Sequence, residues 1–161
     1  MRKWLTIAFA VLCLAVINYS IWQKEQQLAQ GRVAFLKLAP VDPRSLMQGD
    51  YMVLHFDIAN KIQQSLKSRS STEGHVIVDL DEQQIAHFNA LDEGQALNVN
   101  QLRMQFRIRR GRVMLATNAF FFQEGHGSAY DAAQYGEFRV SDSGELLLKD
   151  MYDAELKLIK P

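Results

Sequence analysis

The chain has 161 residues, and its 18 acidic and 18 basic side chains give a formal net charge of zero. This balance gives no indication of nucleic-acid binding, and the length favours one domain beside any targeting segment. The single cysteine, Cys13, lies in an apolar stretch. The rest of the chain therefore has no intrachain disulfide and no thiolate for metal binding or nucleophilic attack.

The N-terminal thirty residues predict a membrane anchor. Arg2 and Lys3 precede an uncharged stretch from Trp4 to Trp22, which as a helix would span roughly 28 Å, close to the thickness of bilayer hydrocarbon. Aromatic side chains at both ends suit the membrane interface, and the two basic residues place the N-terminus in the cytoplasm. We expect residues 1–30 to form a cytoplasmic tip, a transmembrane helix that contacts lipid over residues 4–22, and a juxtamembrane helix.

A cleaved signal peptide is the alternative to a retained anchor. Residues 5–17 could serve as its apolar core. The nearest small-residue cleavage pattern, Ala29-Gln30-Gly31, lies far beyond that core. We therefore favour a retained anchor and expect residues 31–161 to form one domain outside the cytoplasm, which in a bacterium with two membranes is periplasmic.

The pattern beyond residue 31 predicts a mostly β domain of the α+β class. Alternating apolar residues and turn signals delimit the strands, and short amphipathic stretches mark two helices. We expect a curled antiparallel sheet or partly open β-barrel. The predicted strands are 33–38, 51–58, 75–80, 85–91, 102–108, 113–122, 137–140, 145–148 and 154–159, and the helices are 59–69 and 128–135.

A first motif lies between the first two strands. It contains two prolines that fix backbone angles, an aspartate suited to an Asx-turn and a Gly-Asp pair that can form a turn before the strand. We interpret it mainly as structural, although Asp42, Arg44, Asp50 and Tyr51 could instead line one site. The candidate residues are Pro40, Asp42, Pro43, Arg44, Gly49, Asp50, Tyr51 and Leu54.

A second candidate group is formed by Glu124, Gly125, His126 and Asp131. Ser128 and Asp131 resemble a capping box, so loop shaping and helix capping are the favoured roles. The alternative is a carboxylate–imidazole pair that binds a cation or performs acid–base chemistry. The four histidines lack the short spacing of zinc motifs, and we expect neither a metal nor a cofactor.

A stripe of arginines follows the strand 102–108 and its turn. It is the solvated face of a hairpin, or a surface for anionic lipid headgroups or an acidic partner. The stripe comprises Arg103, Arg107, Arg109, Arg110 and Arg112.

The stretch from Pro40 to Phe56, with Gly49-Asp50-Tyr51 followed by Leu54, resembles the GDYXXLXY family of bacterial membrane-anchored proteins of uncharacterised function. Phe121-Phe122-Gln123-Glu124-Gly125 is similar to a second segment of that family. Phe56 and Gln123 depart from the family pattern, in which Tyr and Pro are usual. The resemblance covers nearly the whole chain and implies a bacterial inner-membrane location and a companion role to multi-pass membrane proteins.

The predicted function is therefore a non-enzymatic interaction or accessory module for envelope membrane proteins. The alternative is an envelope hydrolase or metal-assisted enzyme centred on Glu124, His126 and Asp131. The stretch 46–50 also looks like part of type I signal peptidases. However, Val41 stands where their nucleophilic serine would be, which argues against peptidase activity.

Overall fold

The computed structural model describes residues 2–39, 51–66, 72–117 and 119–160. Its first element, α1 (Arg2–Gln30), is one unbroken helix. In this described part of the chain, α1 alone is long and apolar enough to cross a membrane, with Thr6–Gln30 as the candidate span. The apolar window of that span is 0% buried against the rest of the protein. Its side chains therefore need lipid or another apolar surface to leave water.

The first sheet begins directly after α1. Strand β1 (Arg32–Lys37) pairs with β8 (Tyr135–Val140), and β8 pairs with β9 (Leu146–Tyr152), all antiparallel. The β8–β9 hairpin confirms the turn predicted around Asp142-Ser143-Gly144, with longer strands than the sequence indicated. Gly144 has a positive φ of 85° at this turn, a conformation that glycine adopts readily.

The second sheet contains both hairpins predicted in the middle of the chain. Its strands are β3 (Glu73–Leu80), β4 (Ala86–Leu91), β5 (Gln101–Arg109) and β6 (Arg112–Leu115). Their order in the sheet is β4-β3-β5-β6, again antiparallel. The Asp81 carboxylate closes the β3–β4 turn, because its Oδ1 accepts hydrogen bonds of 2.9 Å from the amides of Gln83 and Ile85.

A third, two-stranded sheet and one short helix complete the domain. Strand β2 (Tyr51–Val53) pairs antiparallel with β7 (Ala119–Phe121), and α2 (Asp57–Ser65) follows β2. Single bridges join the sheets at Phe35–Ile85 and Leu38–Phe56. The result is a curled antiparallel half-barrel with short helices, which confirms the predicted fold class.

One apolar core fills the curl of the sheets. Leu102, Met104 and Phe106 of β5 are buried and Ile108 is half-buried, as the alternation predicted. One face of α2 contributes Ile58 and Ile62. The largest side chains that are almost wholly buried are Phe138, Leu36, Ile62, Ile77, Met104, Met151, Val76 and Val78.

The predicted strand 51–58 is wrong in its second half, and the predicted strand 113–122 is two strands in different sheets. The first ends at Val53, and α2 starts at Asp57. The second breaks at Ala116, which has a positive φ of 49°, and Thr117 then bonds to the backbone of Ala119. The chain therefore leaves β6 and continues in another sheet as β7. A Thr-Asn step inside an apolar run was the only signal of this break.

The last two predicted elements also differ. The helix 128–135 is a single 3-10 turn, Gly127–Tyr130. The strand 154–159 is a turn, in which Asp153 Oδ1 accepts from the amides of Glu155 and Lys157. Of the predicted strand pairing, only an isolated β-bridge between Tyr152 and Leu158 is present there. Local carboxylate-to-backbone bonds have outcompeted the sheet ladder at this turn.

Candidate functional site

The fold brings the two sequence motifs together. Strand β2 opens with Tyr51 of the first motif, and Tyr51 lies opposite Phe121 of the second. Their ring centroids are 5.6 Å apart, with the planes tilted by 41°. Phe121 is 74% exposed, so this aromatic pair presents an apolar surface to solvent.

Most of the first motif lies outside the described residues. This applies to Pro40, Asp42, Pro43, Arg44, Gly49 and Asp50. Of the two that are described, Tyr51 is half-buried and Leu54 is 3% exposed. Leu54 is thus a core residue, which agrees with the structural interpretation of the motif at that position.

The second motif forms a loop that leads into the 3-10 turn. Glu124 is exposed, Gly125 has a φ of +84°, and His126 is half-buried at the cap position. The His126 side chain makes no capping hydrogen bond to this turn, and Asp131 lies at the other end of the turn. The predicted capping box is therefore wrong, because Ser128 and Asp131 do not flank the start of a helix.

Aromatic packing secures this loop instead. Tyr130 is 6% exposed and stacks with Phe122 at 5.4 Å. It also meets Phe120 edge-on at 5.1 Å. Such pairs contribute about 0.5–1.5 kcal/mol beyond the burial of their area. Packing among Phe120, Phe122 and Tyr130 thus fixes the loop that carries Glu124 and His126.

The described residues contain no group of three His, Cys, Asp or Glu side chains arranged to hold a metal ion. The Nδ1 atom of His126 is buried and has no hydrogen-bond partner within the described part of the chain. One unpartnered imidazole nitrogen beside an exposed Glu124 and an exposed Asp131 does not make a catalytic constellation, which needs a base with a positioned partner.

A buried carboxylate that the sequence pattern did not single out lies in β8. Glu137 is 3% exposed. Its Oε2 accepts a hydrogen bond of 2.6 Å from the Tyr152 hydroxyl. Its Oε1 lies 3.2 Å from Arg139 Nη2 and 3.4 Å from Lys149 Nζ. Burial, together with the neighbouring carboxylate, raises the pKa of Tyr152 to about 12, so the phenol stays a donor at neutral pH.

An irregularity in strand register creates this cluster. Glu137 pairs with Asp150 while Phe138 pairs with Leu148, so Lys149 is the extra residue of a bulge. The bulge lets Lys149 reach the carboxylate of Glu137. The alternation of apolar and polar residues could not predict that Glu137 is buried, because Gly136, Glu137 and Phe138 are buried in succession.

The Glu137 cluster continues to the end of α1. Arg139 bonds Glu137 through Nη2 and donates from Nη1 to the carbonyl of Gly31 at 3.3 Å. The Gly31 amide in turn donates to the carbonyl of Gln27 at 2.9 Å. Carbonyls at a helix C-terminus lack intrahelical partners, and a guanidinium there also suits the helix dipole. The core of the domain is thereby connected to the helix end.

Side chains of α1 add direct contacts with the β8–β9 hairpin. Gln27 Nε2 donates to the carbonyls of Arg139 and Glu145, at 3.1 and 2.8 Å. Lys24 Nζ lies 2.6 Å from Glu145 Oε1. Since both charged groups are about half exposed, the ion pair contributes at most about 1 kcal/mol. We call residues 23–31, with Arg139 and Glu145, the helix–domain junction.

The predicted arginine stripe is divided. Arg103 forms an ion pair with Asp92, and this pair together with the Gly94 amide holds the pKa of the Asp92 carboxyl below 3.8, although burial opposes the shift. The other four arginines surround the β5–β6 turn, are exposed, and take part in no ion pair among the described residues. They are Arg107, Arg109, Arg110 and Arg112.

In a comparison with protein families, residues 13–151 match the family described as GDYXXLXY protein. Neither curated proteins nor solved structures give a significant match. The matched region runs from the middle of α1 to the end of the β8–β9 hairpin. It includes both motifs, Glu137 and the helix–domain junction. The chain therefore belongs to the GDYXXLXY protein family.

Proposed function

We propose that the protein is an accessory module of the bacterial inner membrane, anchored by α1, with its N-terminus in the cytoplasm and its β domain in the periplasm. The observation that carries this proposal is the helix–domain junction. An apolar helix runs without interruption into contacts with a folded domain, through Gln27, Gly31 and Arg139. Such a domain has a fixed position relative to the membrane, unlike one on a flexible linker.

The proposed partner is a multi-pass membrane protein. The apolar side chains of α1 are not covered by the domain, so one face of α1 is free to pack against other membrane helices. The domain, held close to the same membrane, presents the exposed Phe121 beside Tyr51. Exposed aromatic residues are frequent anchors of protein interfaces. A partner with helices and an extracytoplasmic surface would meet both parts at once.

The partner proposal is tested by affinity purification of the full chain from membranes, followed by mass spectrometry. Two variants are compared with wild type: Phe121→Ser, and a chain in which residues 4–22 are replaced by an unrelated transmembrane helix of equal length. Glu155→Gln, an exposed change in the C-terminal turn, is the control. We expect one multi-pass protein to co-purify with wild type and control and to be depleted in both variants. Equal recovery from all four chains would contradict the proposal.

A further inference from the structure

A cleft of about 380 Å³ lies where the first and second sheets diverge. Strand β9 is the outer strand of the first sheet, and β6 is the outer strand of the second. Four consecutive residues of β9, Glu145 to Leu148, line one side, and every second residue of β5 from Gln105 to Arg109 lines the other, together with Met114. Since side chains alternate between the faces of a strand, four consecutive lining residues mean that β9 meets the cleft with its edge. We call this cleft the open seam.

The open seam presents a short stretch of unpaired strand edge. At its closed end, the Gln105 amide donates to the Gly144 carbonyl at 2.7 Å, which joins the two sheets. Farther along β9, the bulge at Lys149 interrupts the ladder, and the bridge between Tyr152 and Leu158 covers the edge beyond it. In the described part of the chain, no backbone group bonds to residues 146–148 from the outer side of β9. Such an edge is a template for another strand.

The charges along the open seam differ between its two ends. Glu145, at the closed end, already forms an ion pair with Lys24 of α1. Arg107 and Arg109 lie farther along β5, roughly 7 and 13 Å from the closed end at the usual rise of a strand. Glu73 of β3 stands opposite Arg107, but neither arginine forms an ion pair with any described residue. The end of the seam away from Glu145 is therefore positively charged.

The β5–β6 hairpin holds its arginines in an unfavourable arrangement. Arg109 is directly opposite Arg112, and like charges in that position destabilise a strand pair. Arg110 has a positive φ of 51° at the turn, which is uncommon for residues other than glycine, asparagine and aspartate. These three arginines and Met114 line a hollow of about 560 Å³, which adjoins the open seam at Arg109. An anionic group in this position would relieve the repulsion between the guanidinium groups.

We propose that the open seam binds an extended segment of a partner protein as an added β-strand, with acidic side chains of that segment at Arg107 and Arg109. Main-chain groups of the segment bond to the edge of β9, and the guanidinium groups bind carboxylates through paired N–H···O bonds. Met114 and Leu147, both half-buried, supply apolar contacts. A lipid headgroup or a soluble phosphate has no main chain that could pair with β9. The segment belongs to the partner proposed above, so the inference rests on the proposed function.

Selection from a library of random peptides of about eight residues, enough for a strand of typical length, tests the proposal. The purified full chain in micelles is the bait, and the Kd of the tightest-binding peptide is then measured. We expect peptides with acidic residues at one end and alternating β-branched or aromatic residues beside them. The double variant Arg107→Gln/Arg109→Gln should weaken binding about tenfold without lowering the unfolding midpoint, and Glu155→Gln should change nothing.

N-methylation of the selected peptide separates strand pairing from charge attraction, because it removes main-chain donors and keeps every side chain. Every second amide is methylated, in either of the two possible sets. Since alternate amides of a strand point to opposite sides, we expect one set to weaken binding about tenfold and the other to have a smaller effect.

Three results would overturn the proposal. They are selection of the same peptides by the double variant, selected peptides without acidic residues, and equal binding of the unmodified and both methylated peptides. Phosphoglycerol lipid added to the micelles should not displace the peptide, and displacement would assign the arginines to a membrane surface instead. Because the partner itself is tested separately by co-purification, failure of peptide binding would leave the proposed function standing.

Discussion

At the scale of single residues, Glu137 is the side chain around which the β8–β9 hairpin is organised. A carboxylate that is almost wholly buried is costly unless its oxygens are bonded. Here a phenol, a guanidinium and an ammonium meet it. If one of these partners is removed, the Glu137 carboxylate remains buried but loses a hydrogen bond or an ion pair.

Tyr152→Phe isolates one of these bonds. It keeps the ring, which packs edge-on against Phe35 at 5.0 Å, and removes the hydroxyl donor. We expect the free energy of unfolding to fall by about 1–3 kcal/mol, the cost of an unsatisfied buried acceptor. Tyr135, directly opposite Tyr152 in the hairpin, provides the control Tyr135→Phe, which should change little. Denaturant unfolding of the full chain in micelles measures both, and equal effects would contradict a special role for Tyr152.

The same phenol predicts a dependence of stability on alkaline pH. Its pKa is about 12 in the folded protein against 10.0 when unperturbed. The unfolded chain therefore releases this proton first, so stability is complete below pH 10 and declines as the pH rises from 10 to about 12. The difference in unfolding free energy between wild type and Tyr152→Phe should shrink over this interval. A difference that stays constant to pH 12 would show that the phenol is not perturbed.

At the scale of elements, α1 ends where the domain begins, and Gly31 allows the close approach. A Cβ at this position would lie 2.5 Å from the Gln27 carbonyl oxygen and 3.1 Å from the Arg139 Cβ. Since the first of these is backbone, it cannot move aside without a change in the helix end itself. The junction therefore depends on a residue without a side chain.

Gly31→Ala should loosen the helix–domain junction while the sheets remain folded. We expect faster cleavage of the backbone near residues 27–32 during limited proteolysis of the full chain in micelles, with the unfolding midpoint of the domain lowered by only a few degrees. Ala29→Ser, at an exposed position of the same turn, is the control. An unchanged cleavage pattern in Gly31→Ala would mean that the junction is not held by this contact.

The loop that carries the second motif gives a separate test of metal-dependent chemistry. Because Glu124, His126 and Asp131 are not arranged to hold a metal ion together, and no other three such side chains in the described part of the chain are either, we expect the unfolding midpoint to be insensitive to chelator and to Zn²⁺, Mn²⁺ or Ca²⁺. A site that binds a metal would be stabilised in proportion to its occupancy. A midpoint that rises several degrees with one metal in wild type but not in His126→Asn would favour the enzymatic alternative.

At the scale of the whole molecule, the sequence predicted the long apolar N-terminal helix, the curled sheet and most strands correctly. Those predictions depend on periodicity, which is a local signal: the alternation in β5 is an example. The errors arose where local signals compete, as at Ala116 and Asp153. The Glu137 cluster could not be predicted because it depends on the register of a bulge. The helix–domain junction could not be predicted because it depends on contacts between residues more than one hundred positions apart.

The proposed function requires that α1 remains attached and that the β domain lies outside the cytoplasm. Labelling with a membrane-impermeant maleimide in intact cells tests this directly. Since Cys13 is the single cysteine, a Cys13→Ala background can carry either Glu155→Cys in the domain or Lys3→Cys at the N-terminus. We predict a membrane-bound protein of full-length mass, labelled at position 155 without lysis and at position 3 only after lysis. The reverse labelling pattern, or a soluble product shortened by about thirty residues, would contradict the proposed anchoring and orientation.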